Sequence, residues 1–251
     1  MISIEQVQLF LLALTRILMA LSRIPMLGSD TVPTQVRLGM GILLSLAIMP
    51  WQSAVPQPEA ANLYSFAINI AREILIGGLI GFAAGLAFDA VRMAGEVMGL
   101  ESGFESARIF NPVLGDSSPA FVQLFNLTAV LLFLVIDGPS QLLLAIARTF
   151  EILPLQSPLP LNSLNELLAQ SSQLITTGVQ IGLPLMSALF LADLALGLLA
   201  RVAPHIQVYF LGLPLKVALS FFGLGLVFTS LIPPIENLFH DIGPRIMALL
   251  Q

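Results

Sequence analysis

The chain has 251 residues, of which 57% are apolar and only 10% charged, with a formal net charge of −5 and no cysteine. Soluble domains carry roughly 45–50% apolar and 25% charged residues, so this composition excludes an ordinary soluble domain and points to a membrane protein. The small, dispersed acidic balance and the lack of any basic run exclude a nucleic-acid partner, and the absence of Cys excludes a disulfide framework or a thiolate metal or redox site.

The first apolar run, Val7 to Leu21, contains Arg16. It lacks a basic start and no A-x-A site follows it, so it does not read as a cleaved signal. Pro25, Gly28 and Pro33 break the pattern, and the next helix is predicted to start near Thr34. The apolar part of this second run, Leu38 to Trp51, is 14 residues, roughly 21 Å of helix against a hydrocarbon core of roughly 30 Å. A Pro-punctuated loop, Gln52 to Ala61, follows.

The third run, Phe66 to Val91, carries Arg72 and Glu73 ahead of an apolar core, Ile74 to Phe88. Gly77, Gly81 and Gly85 recur at spacing four, as do Gly95, Gly99 and Gly103. Small residues at that spacing line one helix face and admit another backbone, from the same chain or from another. Phe104 to Pro119 reads as a Gly/Pro/Ser loop. A fourth run goes from Ala120 to Ile136, Asp137-Gly-Pro139 makes a turn or sharp kink, and a second apolar piece, Leu142 to Phe150, follows. Leu153 to Pro160 holds three prolines and is expected to be extended. Ser163 to Gln170 reads as a separate short surface helix with a capping box, Ser163 and Glu166. Two long runs follow, Leu174 to Ala200 and Val208 to Ile232, separated by a polar hinge, Arg201 to Gln207. Pro233-Pro234 is expected to end the last, leaving an amphipathic tail, Ile235 to Gln251.

The result is a single all-α domain, 1–251, of uneven apolar segments at about 7–21, 34–51, 66–103, 120–150, 174–200 and 208–232. Lys and Arg in the loops weakly favour odd loops in the cytoplasm and both termini outside.

The motifs of a metalloprotease, a serine hydrolase, a P-loop or a dinucleotide site are absent. His205 and His240 stand alone, and metal sites need more donors. A carboxylate pair for acid/base work could be drawn from Glu96, Glu101 and Glu105. At helical spacing Glu101 and Glu105 share a face and Glu96 lies away from it, and a solvated face is the simpler reading, with no nucleophile or oxyanion donors beside it. No enzyme, metal or cofactor is expected. The charges within apolar runs carry more information: Arg16, Asp89, Asp193 and Lys216 each need water or a partner. Snorkelling to an interface, or pairing with another subunit's charge, competes with an ion relay. The loop from Phe104, with Ile109, Phe110, Asn111 and Pro112, either tucks onto its own protein or closes an aqueous passage by excluding water.

Several ordered motifs together resemble the FliR family of type III export-gate subunits. They are Arg23-Ile-Pro-Met-Leu-Gly, Pro33-x-x-Val36-Arg37-Leu-Gly39, Glu73-Ile-Leu-Ile-Gly77 and Ala94-Gly95-Glu96. The most specific is Asp193-Leu-Ala-Leu-Gly197-Leu-Leu-Ala-Arg201-Val-Ala-Pro204 with Gly212-x-Pro214-x-Lys216. The resemblance departs at Pro139-Ser140 and at His205. It implies kinked helical hairpins stacking with FliP and FliQ in a helical hetero-oligomer, with FlhB, FlhA and the flagellar rod as further neighbours. It implies a gate for unfolded export substrates in the bacterial inner membrane, in contact with lipid, much of it above the membrane plane. It assigns Phe104, Ile109, Phe110, Asn111 and Pro112 to a pore plug. It further implies that Arg201 and Lys216 hold the hinge, through helix ends or acids on FliQ or FlhB. The homologous injectisome T subunit and a small ion-coupled transporter are the alternatives.

Overall fold

The computed structural model describes residues 4–24, 28, 32–48, 63–104, 120–158 and 163–250. Among these there is no strand. Eight helices follow one another: α1 (Ile4–Arg23), α2 (Thr34–Ile48), α3 (Leu63–Ser102), α4 (Ala120–Val135), α5 (Gly138–Ile152), α6 (Ser163–Val202), α7 (Val208–His240) and α8 (Ile242–Leu249). They divide into two compact units. Unit 1 holds Met1–Ala87, Asp137–Ser171 and His240–Gln251; unit 2 holds Phe88–Ile136 and Ser172–Phe239.

In unit 1, α1 buries a helical stripe of Leu12, Ala13, Arg16, Ile17, Ala20 and Leu21, the three- and four-residue spacing of one face. It packs on α2. The glycine row of α3 lies against it: a Cβ at Gly81 would stand 2.6 Å from the Ala20 carbonyl oxygen, and one at Gly77 would strike the Arg16 carbonyl. Gly85 reaches the Arg23 carbonyl at ordinary contact distance, 3.4 Å. For these three positions the packing is therefore within the chain. Helix α8 packs on α5, burying Ile242, Ile246 and Leu249.

In unit 2, α4 buries Phe121, Phe125, Ala129 and Phe133 at strict four-residue spacing, with Val122 beside them. Gly95 of α3 admits this helix, since its Cβ would come within 3.0 Å of the Phe125 Cβ. Gly99 is buried. Phe88, Phe133 and Phe239 form a cluster with ring centroids 4.9–5.3 Å apart, the separation at which edge-to-face pairs add to simple burial.

The expected turn at Asp137-Gly-Pro139 is present. Helix α4 ends at Val135 and α5 starts at Gly138, Asp137 is left-handed at φ 57°, and its Oδ1 accepts from Ser140 Oγ at 2.8 Å. Four expectations are corrected. Residues 163–170 are the start of α6 and not a separate helix: the cap residues start the helix, and no Gly or Pro follows before Gly178. Glu166 there accepts from Gln170 Nε2 at 3.0 Å. Pro233-Pro234 lies inside α7. A proline in a helix interior costs about 3 kcal/mol, but the turns around the pair bury Leu231, Ile235, Leu238 and Phe239, at about 1.5–3 kcal/mol each. The start of Leu153 to Pro160 is a turn and not extended, with Gln156 left-handed at φ 69° and Ser157 N–H donating to the Pro154 carbonyl. The tail from Ile235 is the end of α7 followed by α8.

Among the described residues, four helices are long and apolar enough to cross a membrane, or five if the bent α4–α5 pair counts as one span. Helix α2, with 15 residues and about 22 Å, is not among them. Two-thirds of the most apolar stretch of α3 is buried, against 11% for α6 and 17% for α7 with α8.

Candidate functional site

The motif-rich stretch from Asp193 to Lys216 folds as an antiparallel hairpin of α6 and α7. Three contacts set its register. A Cβ at Gly212 would stand 2.9 Å from Leu196 Cδ1, one at Gly223 would stand 2.7 Å from Leu185 Cδ1, and Lys216 Nζ donates to Asp193 Oδ2 at 2.8 Å. Each pair is nearly equidistant in sequence from Pro204, which lies exposed in the turn. Asp193 and Leu196 share a face of α6, as Gly212 and Lys216 do on α7. The missing side chain at Gly212 lets the two helices close, and that closure brings the charges together. Lys216 thus takes its partner from its own chain. Its side chain is 18% exposed and that of Asp193 is 42% exposed, so the pair is partly screened by solvent. Arg201 is exposed at the end of α6. Gly197 faces open space, with nothing within 4 Å of where its Cβ would be. Pro214 lies in the second turn of α7 and is exposed.

Of the residues assigned to a plug, Phe104 is described; Ile109, Phe110, Asn111 and Pro112 lie outside the described residues. Phe104 is half-buried. Its ring meets Phe121 of α4 at 5.5 Å and Phe221 of α7 at 5.2 Å, the second edge-on. Gly103 just before it adopts φ 79°, the left-handed conformation that ends helices and that glycine reaches without steric cost. Gly103 therefore ends α3, and Phe104 after it is held between two rings.

One constellation escapes the sequence reading. Arg16 does not snorkel, and its partner is not on another subunit. It is fully buried with Glu73 of α3, with Nε donating to Oε2 at 2.5 Å and Nη2 to Oε1 at 3.1 Å. Its Nη1 donates to the Leu153 carbonyl at 2.7 Å, and its guanidinium lies 4.4 Å from the Phe150 ring centroid. Glu73 Oε1 also accepts the Gln156 N–H at 3.3 Å. One two-pronged pair thus joins α1 to α3 and satisfies carbonyls at the C-terminal end of α5, where a cation is favoured. The signal was available: Glu73 is the acid at the head of the apolar core of α3, and a buried Arg requires one. Among the described residues no group of three or more His, Asp or Glu is placed to hold a metal ion.

The family described as bacterial export proteins, family 1, matches residues 7–242. The chain belongs to this family. Its relatives include the flagellar biosynthetic protein FliR of Escherichia coli strain K12, 33% identical over 236 residues, 93% of this chain and 89% of the relative. FliR of Bacillus subtilis strain 168 is 30% identical over 92% of this chain and 90% of its own length. The Yop proteins translocation protein T of Yersinia pestis is 30% identical over 74% of this chain and 72% of its own. The match over residues 7–242 spans the positions of Arg16, Glu73 and the α6–α7 hairpin. The ion-coupled transporter alternative finds no support among these relatives.

Proposed function

We propose that this chain is the FliR-type subunit of a flagellar type III protein-export gate in the bacterial inner membrane. The observation that carries the reading is the resemblance to FliR over 93% of the chain. The translocation protein T resemblance reaches 74%, which favours the flagellar over the injectisome role. In this reading the chain assembles with FliP and FliQ in a helical hetero-oligomer, with FlhB, FlhA and rod components as neighbours. The complex forms the closed mouth of a channel for unfolded flagellar proteins. The role is structural and needs no catalysis.

The exposed apolar faces of α6 and α7 support it, because they give the hairpin a surface for other proteins and for lipid. Arg201, exposed at the end of α6, is then positioned for an acid on FliQ or FlhB. The segment held at Phe104 serves as the plug. The test is complementation of a strain lacking its own FliR, scored by motility and by secretion of flagellar proteins. Wild-type chain is expected to restore both. Removing residues 109–115 is expected to leave assembly intact and raise ion leak. Failure of the wild-type chain to restore secretion would overturn the gate role. A tight membrane with normal swimming after the deletion would remove the plug assignment. Intact assembly and motility after charge reversal at Arg201 would remove its interface role.

A further inference from the structure

Unit 1 carries an apolar groove of about 660 Å³ between α1, α3 and the start of α6. Arg23, Leu75, Gly78, Phe82, Leu164 and Leu168 line it. Its apolar side chains face outward: Leu75 is 56% exposed, Leu164 69% and Leu168 66%. The volume falls within the range of about 300–1,000 Å³ that holds small ligands. No carboxylate lines it. Its one cation, Arg23, is exposed in the last turn of α1 and makes no ion pair among the described residues.

Helix α1 has 20 residues, so it is about 30 Å long, the thickness of the hydrocarbon core. Spanning a bilayer, a helix of that length would place Arg23 at the headgroup level. Helix α3 runs parallel to α1 along the glycine row, with Gly81 beside Arg23 and Gly77 beside Met19. Phe82 therefore lies near the level of Arg23, and Leu75 lies two turns deeper, about 10 Å. The charged end of the groove is shallow and its apolar end is deep.

We propose that this groove binds an anionic phospholipid, with the phosphate on Arg23 and one acyl chain along Phe82, Gly78 and Leu75. Charge complementarity favours this occupant over an apolar protein helix, which would offer Arg23 no opposite charge. The inference rests on the membrane setting and is independent of the pore role.

The experiment is native mass spectrometry of the full chain in detergent, titrated with phosphatidylglycerol or phosphatidylcholine. Preferential retention of phosphatidylglycerol is expected. Arg23→Gln, an exposed substitution, is expected to lower that retention about fivefold, the effect of one cation near an anionic lipid, and to remove the preference. Gly78→Leu is expected to lower retention of both lipids with an unchanged unfolding temperature, because a Cβ at Gly78 meets nothing within 4 Å. Equal retention of the two lipids by wild type, or no effect of Arg23→Gln, would overturn the proposal. A photo-crosslinker at Leu168 in cell membranes supplies the last arm: a lipid adduct supports the site, and a protein adduct overturns it.

Discussion

Two of the four ion pairs among the described residues, Arg16–Glu73 and Lys216–Asp193, sit in different environments and contribute differently. Arg16 and Glu73 are both 0% exposed, so removing one leaves the other charged in a medium that solvates it poorly. Arg16→Met or Glu73→Gln is expected to destabilise unit 1 by about 3–5 kcal/mol, whereas Arg16→Met with Glu73→Met is expected to recover much of that loss. Thermal unfolding in detergent, with accumulation in cells, measures both, and a double variant as weak as the single ones would show that the carbonyl contacts to α5 matter more than the charge pairing. Lys216 and Asp193 are partly exposed, and such a pair contributes about 0–1 kcal/mol. Lys216→Ala is therefore expected to shift stability by less than about 1 kcal/mol. A larger fall in motility than in stability would locate the need for Lys216 in assembly or export.

At the scale of elements, glycines of one type do different things according to what faces them. Gly81 is closed by the backbone of α1, with the Ala20 oxygen at 2.6 Å and the Arg23 Cβ at 2.8 Å from an added Cβ. Backbone does not yield as a flexible side chain does, so Gly81→Leu is expected to separate α1 from α3 and cost about 1–3 kcal/mol or more. Gly197 has open space. Gly197→Leu is expected to keep or slightly raise stability, since glycine is unfavourable in a helix by about 0.8–1.0 kcal/mol relative to alanine. If that variant folds but loses secretion, another subunit covers that face of α6. Unfolding temperature and secretion scored together separate the two outcomes. The tandem proline in α7 makes a related point: local preference argues for a stop, and the buried side chains on either side override it.

For the whole molecule, the decisive feature is where apolar surface remains uncovered. The most apolar stretch of α3 is two-thirds buried, but those of α6 and of α7 with α8 are 11% and 17% buried, leaving Phe190, Leu198, Phe210 and Phe222 outward. Soluble monomers rarely expose contiguous apolar patches beyond a few hundred Å². Produced without partner subunits, the chain is expected to accumulate poorly and to need detergent throughout purification. Co-expression with FliP and FliQ is expected to raise its level several-fold, measured by immunoblot of membrane fractions. An unchanged level would mean that lipid alone covers the hairpin.

Composition alone determined the membrane class, because 10% charged residues lies far below the roughly 25% typical of soluble domains, and periodicity with the Gly and Pro positions determined an all-helical chain broken at Asp137. The ordered residues from Asp193 to Lys216 determined the family. Those are properties of type and spacing, and they are local. The tertiary structure decided the rest, because it depends on contacts distant in sequence. Arg16 finds Glu73 across 57 positions, and the spacing of Gly77, Gly81 and Gly85 is the same whether α1 or another subunit fills the groove. Pro233-Pro234 carries a local stop signal that the burial of Leu231, Ile235, Leu238 and Phe239 outweighs, whereas nothing local ends the helix that Ser163 and Glu166 start. Lys216 and Asp193 are each legible as charges in need of partners, but only the hairpin register, set by Gly212 against Leu196, makes them partners of each other.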